Sequence, residues 1–418
     1  MAISPILDGK RIVLGVTGSI AAYKAAILAS TLAQAGAIVD VIMTEAATKL
    51  VGPLTFQSVT KRPVHLDMWR LMEQPDITHV SLGVSADLLV VAPATANTMA
   101  KMANGLADDL LSTTALAVRC PIVVAPAMDA EMYEHPATQE NVAKLRSRGV
   151  VVIDPGVGHL ASGLVGRGRL AELDEIMGRI KWALGWEGDL SGLSLLVTAG
   201  GTEEPIDPVR IMTNRSSGKM GYALAEAALE RGARVTLVSA PTALKPPVGA
   251  ECVAVETAVQ MRDAVLEKLP RADALIMAAA VSDYRVDQAA TQKMKRKDES
   301  LQLTLVPNPD ILMETLPAAE GGHTPLRVGF ALESENLEKN ARDKLARKKL
   351  DMIVANSVGA GGGVFGSDRN EVIILDSAGR QSRVALASKE EVAHRILDQV
   401  ALLLKERSGD ARQGKTQR

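Results

Sequence analysis

The feature that most constrains this chain is a pattern that occurs twice: an apolar run, a cluster of glycine and small polar residues, and then an amphipathic stretch. The first copy opens with Ile12–Val16 and the second with Leu195–Thr198, and turn-forming residues, Gly185–Asp189, lie between them. Apolar strands separated by helical stretches predict βαβ units around a parallel sheet. We therefore predict an α/β chain of two doubly wound, mostly parallel, Rossmann-like domains.

The 418 residues are enough for two such domains. We place the first at residues 1–189 and the second at 190–404, and we predict that the polar tail 405–418 is disordered. In the first domain the predicted helices are Ile20–Ala35, Thr98–Val118, Thr138–Ser147 and Leu173–Leu184. In the second they are Lys219–Arg231, Ala258–Leu269, Asn336–Lys348 and Lys389–Leu404.

Charge and cysteine content exclude several classes of protein. The net charge of −2 indicates neither a nucleic-acid nor a membrane surface. The two cysteines, Cys120 and Cys252, have no metal-site spacing and form no disulfide framework, which favours a reducing compartment. We expect a cytoplasmic protein, because the sequence also shows no signal-peptide pattern and no apolar stretch of membrane-spanning length.

Both domains open with the arrangement that holds phosphate groups on helix N-terminal amides. Neither opening matches a standard signature: Gly15–Ile20 reads GVTGSI, and the residues around Gly218-Lys219 do not form a Walker A motif. Glycines in a first βα turn also occur for tight geometry alone. Spacing by itself therefore leaves phosphate binding and tight packing equally open.

Three clusters in the first domain suggest chemistry at strand ends, where open α/β sheets bind ligands. They are Ala92–Thr98 (APATANT), Pro126–Tyr133 (PAMDAEMY) and the single histidine His79. Each cluster also has an ordinary structural explanation. Asn97 in the first cluster can be the N-cap of the predicted helix 98–118. The segment Pro126–Tyr133 can be an ordinary loop in which methionine fills space, and His79 can be a structural histidine.

Together these clusters resemble the flavin-dependent cysteine decarboxylases over about residues 10–185, with GVTGSIAAYK at the FMN phosphate loop. The resemblance implies a flavodoxin-like domain in which FMN oxidises the cysteine moiety of 4′-phosphopantothenoylcysteine, CO₂ leaves, and the same flavin reduces the ene-thiol to 4′-phosphopantetheine. It implies His79 as base and Asn97 as a catalytic carboxylate contact. The implied FMN contacts are Gly18, Ser19, Ala21, Thr44, Pro93 and Thr95, and the implied substrate contacts are Ala127, Met128 and Asp129.

Two residues depart from that family's pattern. Asp129 stands where the family commonly has Asn, and a carboxylate there repels a substrate carboxylate unless it is protonated or turned away. The alternative is that Asp129 binds the amide N–H of the substrate. Ser162 stands where a flap cysteine protonates the ene-thiol in full decarboxylases. We expect a complete reaction with an altered donor, either His159 or water; the alternative is that this domain releases an ene-thiol.

In the second domain, functional residue types again follow predicted strands and loops. The segment Glu203–Met220 is long and polar, Ala278–Arg285 contains Asp283, and Lys293–Lys297 is a basic run. Lys344 and Lys348 share one helix face and can reach one phosphate group. The ordinary alternatives are a Ser216 or Ser217 N-cap and solvated surface lysines.

The motifs TAGGTEEPIDPVR, TNRSSGKMG, AAAVSDYR, KMKRK, NPDI and GFALE resemble phosphopantothenate–cysteine ligases throughout residues 192–400, with Arg296 in place of a usual lysine. The resemblance implies that CTP activates 4′-phosphopantothenate as an acyl-cytidylate, with Mg²⁺ screening the triphosphate, before cysteine displaces CMP. Asn214 is implied to orient the acyl-cytidylate and Lys293 to stabilise charge. The implied nucleotide contacts are Asp283, Lys293, Pro309, Asp310, Ile311, Phe330, Lys344 and Lys348.

The combined order, decarboxylase first and ligase second, resembles the bacterial bifunctional enzymes of coenzyme A biosynthesis. It implies a homo-oligomer of trimeric flavin domains and dimeric ligase domains that acts on small molecules. Two alternatives remain open at this point: nucleotide-binding modules that sense rather than catalyse, or an active ligase fused to a flavin domain that is only a scaffold.

Overall fold

The computed structural model describes residues 5–69, 78–295, 301–316, 324–333, 335–357 and 366–415, with side chains described as far as residue 407. The chain divides into two compact units, Met1–Trp186 and Glu187–Arg418. Each unit has its own sheet and its own core. Within these described ranges, no helix has both the length and the apolarity needed to cross a bilayer.

The first unit is built on a six-stranded parallel sheet in the order β3-β2-β1-β4-β5-β6, with a separate β7–β8 hairpin. Its strands are β1 (Arg11–Val16), β2 (Ile38–Met43), β3 (Val64–His65), β4 (Leu88–Ala94), β5 (Ile122–Pro126), β6 (Val151–Val152), β7 (Gly156–His159) and β8 (Val165–Arg169). Its helices are α1 (Ala22–Gln34), α2 (Glu45–Thr48), α3 (Pro53–Thr60), α4 (Thr78–Ser85), α5 (Ala96–Asn104), α6 (Leu110–Ala117), α7 (Ala130–Glu134), α8 (Pro136–Ser147) and α9 (Leu173–Gly185).

The apolar runs form parallel strands because both faces of this sheet are covered. Along β1, Ile12, Leu14 and Val16 belong to one apolar core, while Val13 belongs to a second core on the other face. Strands buried on both sides read as continuous aliphatic runs. The order reverses between β1 and β4, so the carboxyl ends of these two strands flank the crevice in which such sheets bind ligands.

The second unit contains an eight-stranded sheet in the order β13-β12-β9-β14-β17-β18-β19-β20, parallel as far as β18 and antiparallel beyond it. Its strands are β9 (Ser194–Ala199), β10 (Glu203–Pro205), β11 (Ile211–Thr213), β12 (Arg234–Ser239), β13 (Glu251–Ala254), β14 (Ala274–Met277), β15 (Tyr284–Val286), β16 (Leu305–Pro307), β17 (Leu326–Glu333), β18 (Met352–Ser357), β19 (Arg369–Asp376) and β20 (Gln381–Ser388). Its helices are α10 (Lys219–Leu229), α11 (Ala258–Lys268), a 3₁₀ turn Leu269–Arg271, α12 (Ile311–Glu314), α13 (Leu337–Arg347) and α14 (Lys389–Lys415).

The predicted fold class, two mostly parallel α/β domains, is confirmed, and the reversal of strand order falls between β9 and β14 in the second sheet. Small antiparallel pairs, β10–β11 and β15–β16, stand outside this sheet at loops that follow β9 and β14. The apolar pattern of the sequence did not predict these two hairpins. Their runs are short or are interrupted by Gly and Pro, so periodicity does not reveal them.

Two predicted boundaries are wrong. The helix predicted at 98–118 is two helices, because Gly105 takes a left-handed φ of 71° that ends α5, and Asp109 then caps α6 through the amide of Ser112. The tail predicted to be disordered from residue 405 is helical as far as Lys415. Its start is tied down, since Glu406 pairs with Arg380 and Arg407 with Asp351.

Candidate functional site

In the first unit, Thr17 joins the carboxyl ends of β1 and β4. Its hydroxyl donates to the carbonyl of Pro93 at 2.7 Å and accepts from the amide of Thr95 at 3.0 Å, and its amide donates to the same carbonyl. The Thr17 side chain is fully buried. The predicted FMN loop and the APATANT segment are therefore held side by side at the strand-order reversal.

The loop before α1 has amides suited to an anion. The amides of Gly18 and Ile20 have no acceptor among the hydrogen bonds of the described residues, whereas Ser19 donates to Thr17 and Ala21 donates to the Ser19 hydroxyl. Gly18 itself is required by packing, because a Cβ there would overlap the Cβ of Ala46. Two free amides at the N-terminus of a 13-residue helix fit a phosphate group.

The helix after the APATANT segment is capped by Thr95 and not by Asn97. The Thr95 hydroxyl accepts from the amide of Thr98 at 3.3 Å, while Asn97 is exposed in the first turn of α5. The N-cap alternative for Asn97 is therefore wrong, because the residue that has extended backbone before the helix is Thr95. The side-chain amide of Asn97 makes no hydrogen bond to any other described residue.

The PAMDAEMY segment contacts both the APATANT segment and the β7–β8 hairpin, which we call the flap (residues 156–169). The amide of buried Ala127 donates to Ala94 at 3.0 Å, and the amide of Met128 donates to the carbonyl of Gly168 at 3.0 Å. Gly168 lies so close to the Met128 carbonyl that a Cβ would overlap it. These contacts fix the base of the flap against the segment that follows β5.

The two residues that depart from the decarboxylase pattern bond directly to each other. Ser162, in the turn of the flap, donates its hydroxyl to Oδ2 of Asp129 at 2.5 Å. The other carboxylate oxygen of Asp129 caps α7 by accepting from the amide of Glu131 at 3.3 Å. His159, the expected alternative donor, is exposed on β7 opposite Val165 and makes no hydrogen bond to either residue within the described chain.

His79 is the second residue of α4 and is half-buried. No hydrogen bond joins it to Asn97, Asp129 or Ser162 among the described residues. The structure thus gathers the FMN loop, the APATANT and PAMDAEMY segments and the flap, but leaves His79 outside this hydrogen-bonded set.

In the second unit, the loops that follow β9 and β14 are tied together. The amide of Thr202 donates to Ala280 at 3.2 Å, and the amide of Ala280 donates to Gly200 at 2.8 Å. Asn214 follows β11 and donates its side-chain amide to the carbonyl of Val281 at 3.1 Å. Asn214 is therefore held at the edge of the AAAVSDYR loop, across the strand-order reversal.

The NPDI turn is fixed to the same loop. Asn308 donates from its backbone to the carbonyl of Asp283 at 2.8 Å and from its side chain to Ser282 at 2.9 Å. Pro309 follows it, and Asp310 caps α12 by accepting from Met313. The side chains of Asp283 and Asp310 remain exposed, whereas Ile311 is buried in the core.

Two lysines of α13 meet these elements. Lys344 donates to the carbonyl of Phe330 at 2.7 Å, and Lys348 pairs with Asp310 at 3.0 Å. Burial, and then the neighbouring charge of Lys348, lower the pKa of Lys344, while Glu333, Asp310 and Asp283 act in the opposite direction. Lys344 and Lys348 thus form a cationic pair beside the NPDI turn and Phe330.

The α10 helix that follows Asn214 begins differently from the prediction. Its N-cap is Gly218, with φ 73°, and not Ser216 or Ser217. Ser216 instead accepts from the amide of Gly218. Lys219 is not free in solvent, because it pairs with Asp368 at 2.6 Å.

Lys293 is exposed, and hydrogen bonds hold the backbone of the next residue, Met294. The amide of its neighbour Met294 donates to the buried carboxylate of Asp207 at 3.2 Å, and Arg210 donates to the Met294 carbonyl. Arg296 and Lys297, the end of the basic run, lie outside the described residues. The β10–β11 turn therefore positions Lys293 while its ammonium stays available.

Comparison with known proteins follows this division into two units. A family model described as Flavoprotein matches residues 4–184, and one described as DNA/pantothenate metabolism flavoprotein C-terminal domain matches residues 190–403. The coenzyme A biosynthesis bifunctional protein CoaBC of Bacillus subtilis is 45% identical over 404 residues, which is 96% of this chain and 99% of the relative. The protein of that name from Mycobacterium tuberculosis (strain H37Rv) is 46% identical over 408 residues, 94% of this chain and 97% of the relative.

This chain belongs to the family of bifunctional coenzyme A biosynthesis proteins. A crystal structure of the C-terminal domain of a CoaBC protein is also similar to it, with 40% identity, 52% of this chain and 99% of that chain covered, and a TM-score of 0.45.

Family membership confirms the activities inferred from the motifs. The chain is a bifunctional enzyme, with a flavoprotein decarboxylase domain followed by a phosphopantothenate–cysteine ligase domain. The flavin cofactor of the first half is likewise confirmed. The alternative of two modules that only sense nucleotides is therefore wrong.

Three supporting residues of this bifunctional enzyme were not selected from the sequence. Thr17 lies within GVTGSI, but nothing in that motif distinguishes its buried hydroxyl. Asp207 and Asn308 lie within the TAGGTEEPIDPVR and NPDI motifs and hold the loops beside Lys293 and Asp283. A polar residue next to proline in a functional loop was the available signal.

Proposed function

We propose that residues 1–189 bind FMN with its phosphate at the N-terminus of α1. The observation that carries this is the pair of unused amides at Gly18 and Ile20, beside buried Ser19. Ala21, Thr44, Pro93 and Thr95 would complete the contacts, and Thr17 keeps the two strand ends in place. When bound, the flavin supplies the reversible two-electron chemistry that the decarboxylation requires.

The residues of this unit would bind and orient 4′-phosphopantothenoylcysteine. Asn97 has a free amide at the start of α5 and would donate to the substrate carboxylate, with Ala127, Met128 and Asp129 lining the adjacent segment. His79 would take the proton that leaves as the cysteine moiety is oxidised, because neutral imidazole is a base near neutral pH. Ser162, on the flap, would act after CO₂ has left.

This proposal is tested by the purified protein's visible spectrum and by CO₂ release. A yellow protein with bound FMN that releases CO₂ from 4′-phosphopantothenoylcysteine supports it. A yellow protein that releases no CO₂ would instead favour the scaffold alternative for the first unit.

We propose that residues 190–404 use CTP to activate 4′-phosphopantothenate. The main support for this proposal is the cationic pair Lys344 and Lys348 beside the NPDI turn. A triphosphate would replace Asp310 as the partner of Lys348 and relieve the repulsion between the two ammonium groups. Asp283, Pro309, Asp310, Ile311 and Phe330 would surround the rest of the nucleotide.

The acyl transfer would take place beside Asn214 and Lys293. Asn214 is already fixed to Val281 and would present its remaining polar atoms to the acyl-cytidylate. Lys293 would stabilise the charge that develops at the α-phosphate as the carboxylate attacks and pyrophosphate leaves. We also propose that Mg²⁺ accompanies the triphosphate and screens its charge.

Nucleotide choice is tested by calorimetric titration of the protein with CTP and with ATP in the presence of Mg²⁺. Tight binding of CTP and weak binding of ATP supports the proposal. Equal binding of both, or tighter binding of ATP, would overturn the choice of CTP.

We propose a cytoplasmic homo-oligomer in which flavin domains form trimers and ligase domains form dimers. Large apolar side chains that are exposed in the isolated chain support association: Ile20 before α1, Tyr23 and Ile27 on α1, Leu54 on α3, and Trp69. Free Cys120 and Cys252 are compatible with a reducing compartment. Native mass spectrometry would test the assembly, and a monomer at micromolar concentration would contradict it.

A further inference from the structure

The flap raises a chemical problem that the family pattern does not solve. Ser162 stands where a cysteine is expected, and a serine hydroxyl is a far weaker acid than a thiol. The hydroxyl also already donates its hydrogen, to Oδ2 of Asp129. As observed, therefore, Ser162 offers a lone pair rather than a proton to anything outside the flap.

The partner of Ser162 supplies what the hydroxyl lacks. Asp129 is the second departure from the pattern, and a carboxyl group, unlike the amide of Asn, can hold and release a proton. Its two oxygens have different partners. Oδ1 accepts from the backbone amide of Glu131 and so caps α7, whereas Oδ2 accepts from the Ser162 hydroxyl. The two unusual residues, 33 positions apart, thus meet at one hydrogen bond.

The surrounding packing holds the two residues in contact. The Met128 amide bonds to Gly168, and there is no room for a Cβ on Gly168 against Met128 or on Gly166 against Ala130. The flap strands therefore press directly on the residues that flank Asp129. Ser162 is exposed and Asp129 is half-buried. The Asp129 carboxyl therefore lies on the inner side of the pair, and the Ser162 hydroxyl lies on the outer side, where solutes can reach it.

We propose that Asp129 and Ser162 together are the proton donor of the decarboxylase, in place of a flap cysteine. This inference rests on the proposed function of the first unit. The protonated carboxyl of Asp129 donates to the Ser162 oxygen, and the serine hydrogen then points outward to the substrate.

The proton balance is simple. After CO₂ leaves, the ene-thiolate carbon that carried it forms a C–H bond with the hydrogen of Ser162, while the Ser162 oxygen takes the hydrogen of Asp129. Asp129 becomes a carboxylate and is reprotonated by solvent. Reduction of the resulting thioaldehyde to the thiol would use the two electrons that a bound, reduced flavin supplies and a solvent proton at sulfur.

Asp129→Asn separates proton donation from geometry. The single oxygen of asparagine can still accept from the amide of Glu131, and its NH₂ group can donate to the Ser162 oxygen, but asparagine cannot act as the acid. We expect the variant to release CO₂ and to accumulate a product two hydrogens lighter than 4′-phosphopantetheine. The ratio of reduced product to ene-thiol should fall by about 100-fold, a typical contribution of a general acid.

Three further variants make the test specific. Ser162→Ala should accumulate the same ene-thiol. The double variant Asp129→Asn with Ser162→Cys should recover the reduced product, because a thiol replaces the acid. Glu131→Gln is the matched control, an exposed carboxylate-to-amide change two residues away, and should leave the product ratio unchanged.

Amide hydrogen exchange gives a readout that needs no turnover. The flap amides of 156–169 should exchange at the wild-type rate in Asp129→Asn and faster in Ser162→Ala, since only the second variant removes the hydrogen bond. An Asp129→Asn protein whose flap exchanges faster, and which loses CO₂ release as well, would show a role in closing the flap or binding substrate and would overturn the proposal.

The product analysis also separates this inference from the proposed function. Wild-type protein that releases no CO₂ from 4′-phosphopantothenoylcysteine would overturn both. Wild-type protein that makes 4′-phosphopantetheine, with Asp129→Asn making it in the same proportion to ene-thiol, would overturn the proton donor alone.

Discussion

The two units open with the same strand–glycine–helix pattern, yet their glycines serve different purposes. In the first unit, a Cβ on Gly15 would meet the end of the Leu111 side chain, and a Cβ on Gly18 would meet the Cβ of Ala46. In the second unit, Gly200 and Gly218 have φ values of 83° and 73°, and a Cβ on Gly221 would lie 2.7 Å from the Thr198 carbonyl. Similar glycine patterns can therefore reflect side-chain packing in one domain and backbone geometry in another.

The candidate sites beyond these openings differ in charge. The first unit presents unused helix amides for a single phosphate, whereas the second presents the Lys344 and Lys348 pair and exposed Lys293. A triphosphate carries more charge than the amides at one helix terminus can neutralise. The division predicts that each activity can be removed without loss of the other.

Lys293→Gln should have the largest effect, because it removes the charge that we propose stabilises formation of the acyl-cytidylate. We expect ligase turnover to fall by at least about 100-fold. Decarboxylation of supplied 4′-phosphopantothenoylcysteine should continue at the wild-type rate, as measured by CO₂ release. Wild-type ligase turnover in this variant would refute the role of Lys293, and Gln292→Ala, a neutral neighbouring change, is the control.

His79→Gln should produce the converse separation. Loss of the base is expected to slow CO₂ release by about 100-fold while ligation of cysteine proceeds unchanged. His159→Gln is the matched control, since it changes an exposed histidine of the flap that bonds to neither Ser162 nor Asp129 within the described chain. Equal losses in the two variants would contradict the assignment of His79.

Gly221→Ala tests the contrast between backbone and side-chain contacts. The new methyl group meets the Thr198 carbonyl and the Ala199 Cβ, which cannot rotate away, so we expect the second unit to lose about 1–3 kcal/mol of unfolding free energy. Gly15→Ala meets only the ends of the Leu111 side chain and should destabilise the first unit less. Urea denaturation of both variants checks this order.

Gly52→Ala serves as the reference for these two substitutions, because no atom lies within 4 Å of its Cβ position. A loss for Gly15→Ala as large as that for Gly221→Ala would remove the distinction between the two openings.

The smallest expected effect concerns pH. Burial and the neighbouring Lys348 lower the pKa of Lys344, so its charge disappears at a lower pH than that of an ordinary lysine. Nucleotide binding, which needs the charged form, should therefore weaken as pH rises through that lowered pKa. Lys344→Arg stays charged and should extend binding to higher pH in calorimetric titrations. An identical pH profile in both proteins would contradict this account.

Contacts that follow from the order of the parallel strands could be predicted from the sequence. The loop after β9 contains Asn214 and the loop after β14 contains Val281, so the parallel strands on either side of the reversal account for their hydrogen bond. The Asp129–Ser162 bond was beyond such reasoning, because it depends on how a hairpin folds over a loop. The break between α5 and α6 was missed because apolar residues resume after Gly105, at Leu106 and Leu110, so the helical pattern reads as continuous.

The ligase domain makes the compound that the decarboxylase domain consumes, and one incubation tests this central claim. The full-length protein is mixed with 4′-phosphopantothenate, cysteine and Mg²⁺, together with either CTP or ATP, and product masses are read over time. We predict CMP, pyrophosphate, CO₂ and 4′-phosphopantetheine with CTP. Accumulation of 4′-phosphopantothenoylcysteine without CO₂, or of an ene-thiol as the final product, would contradict a complete reaction sequence in this chain.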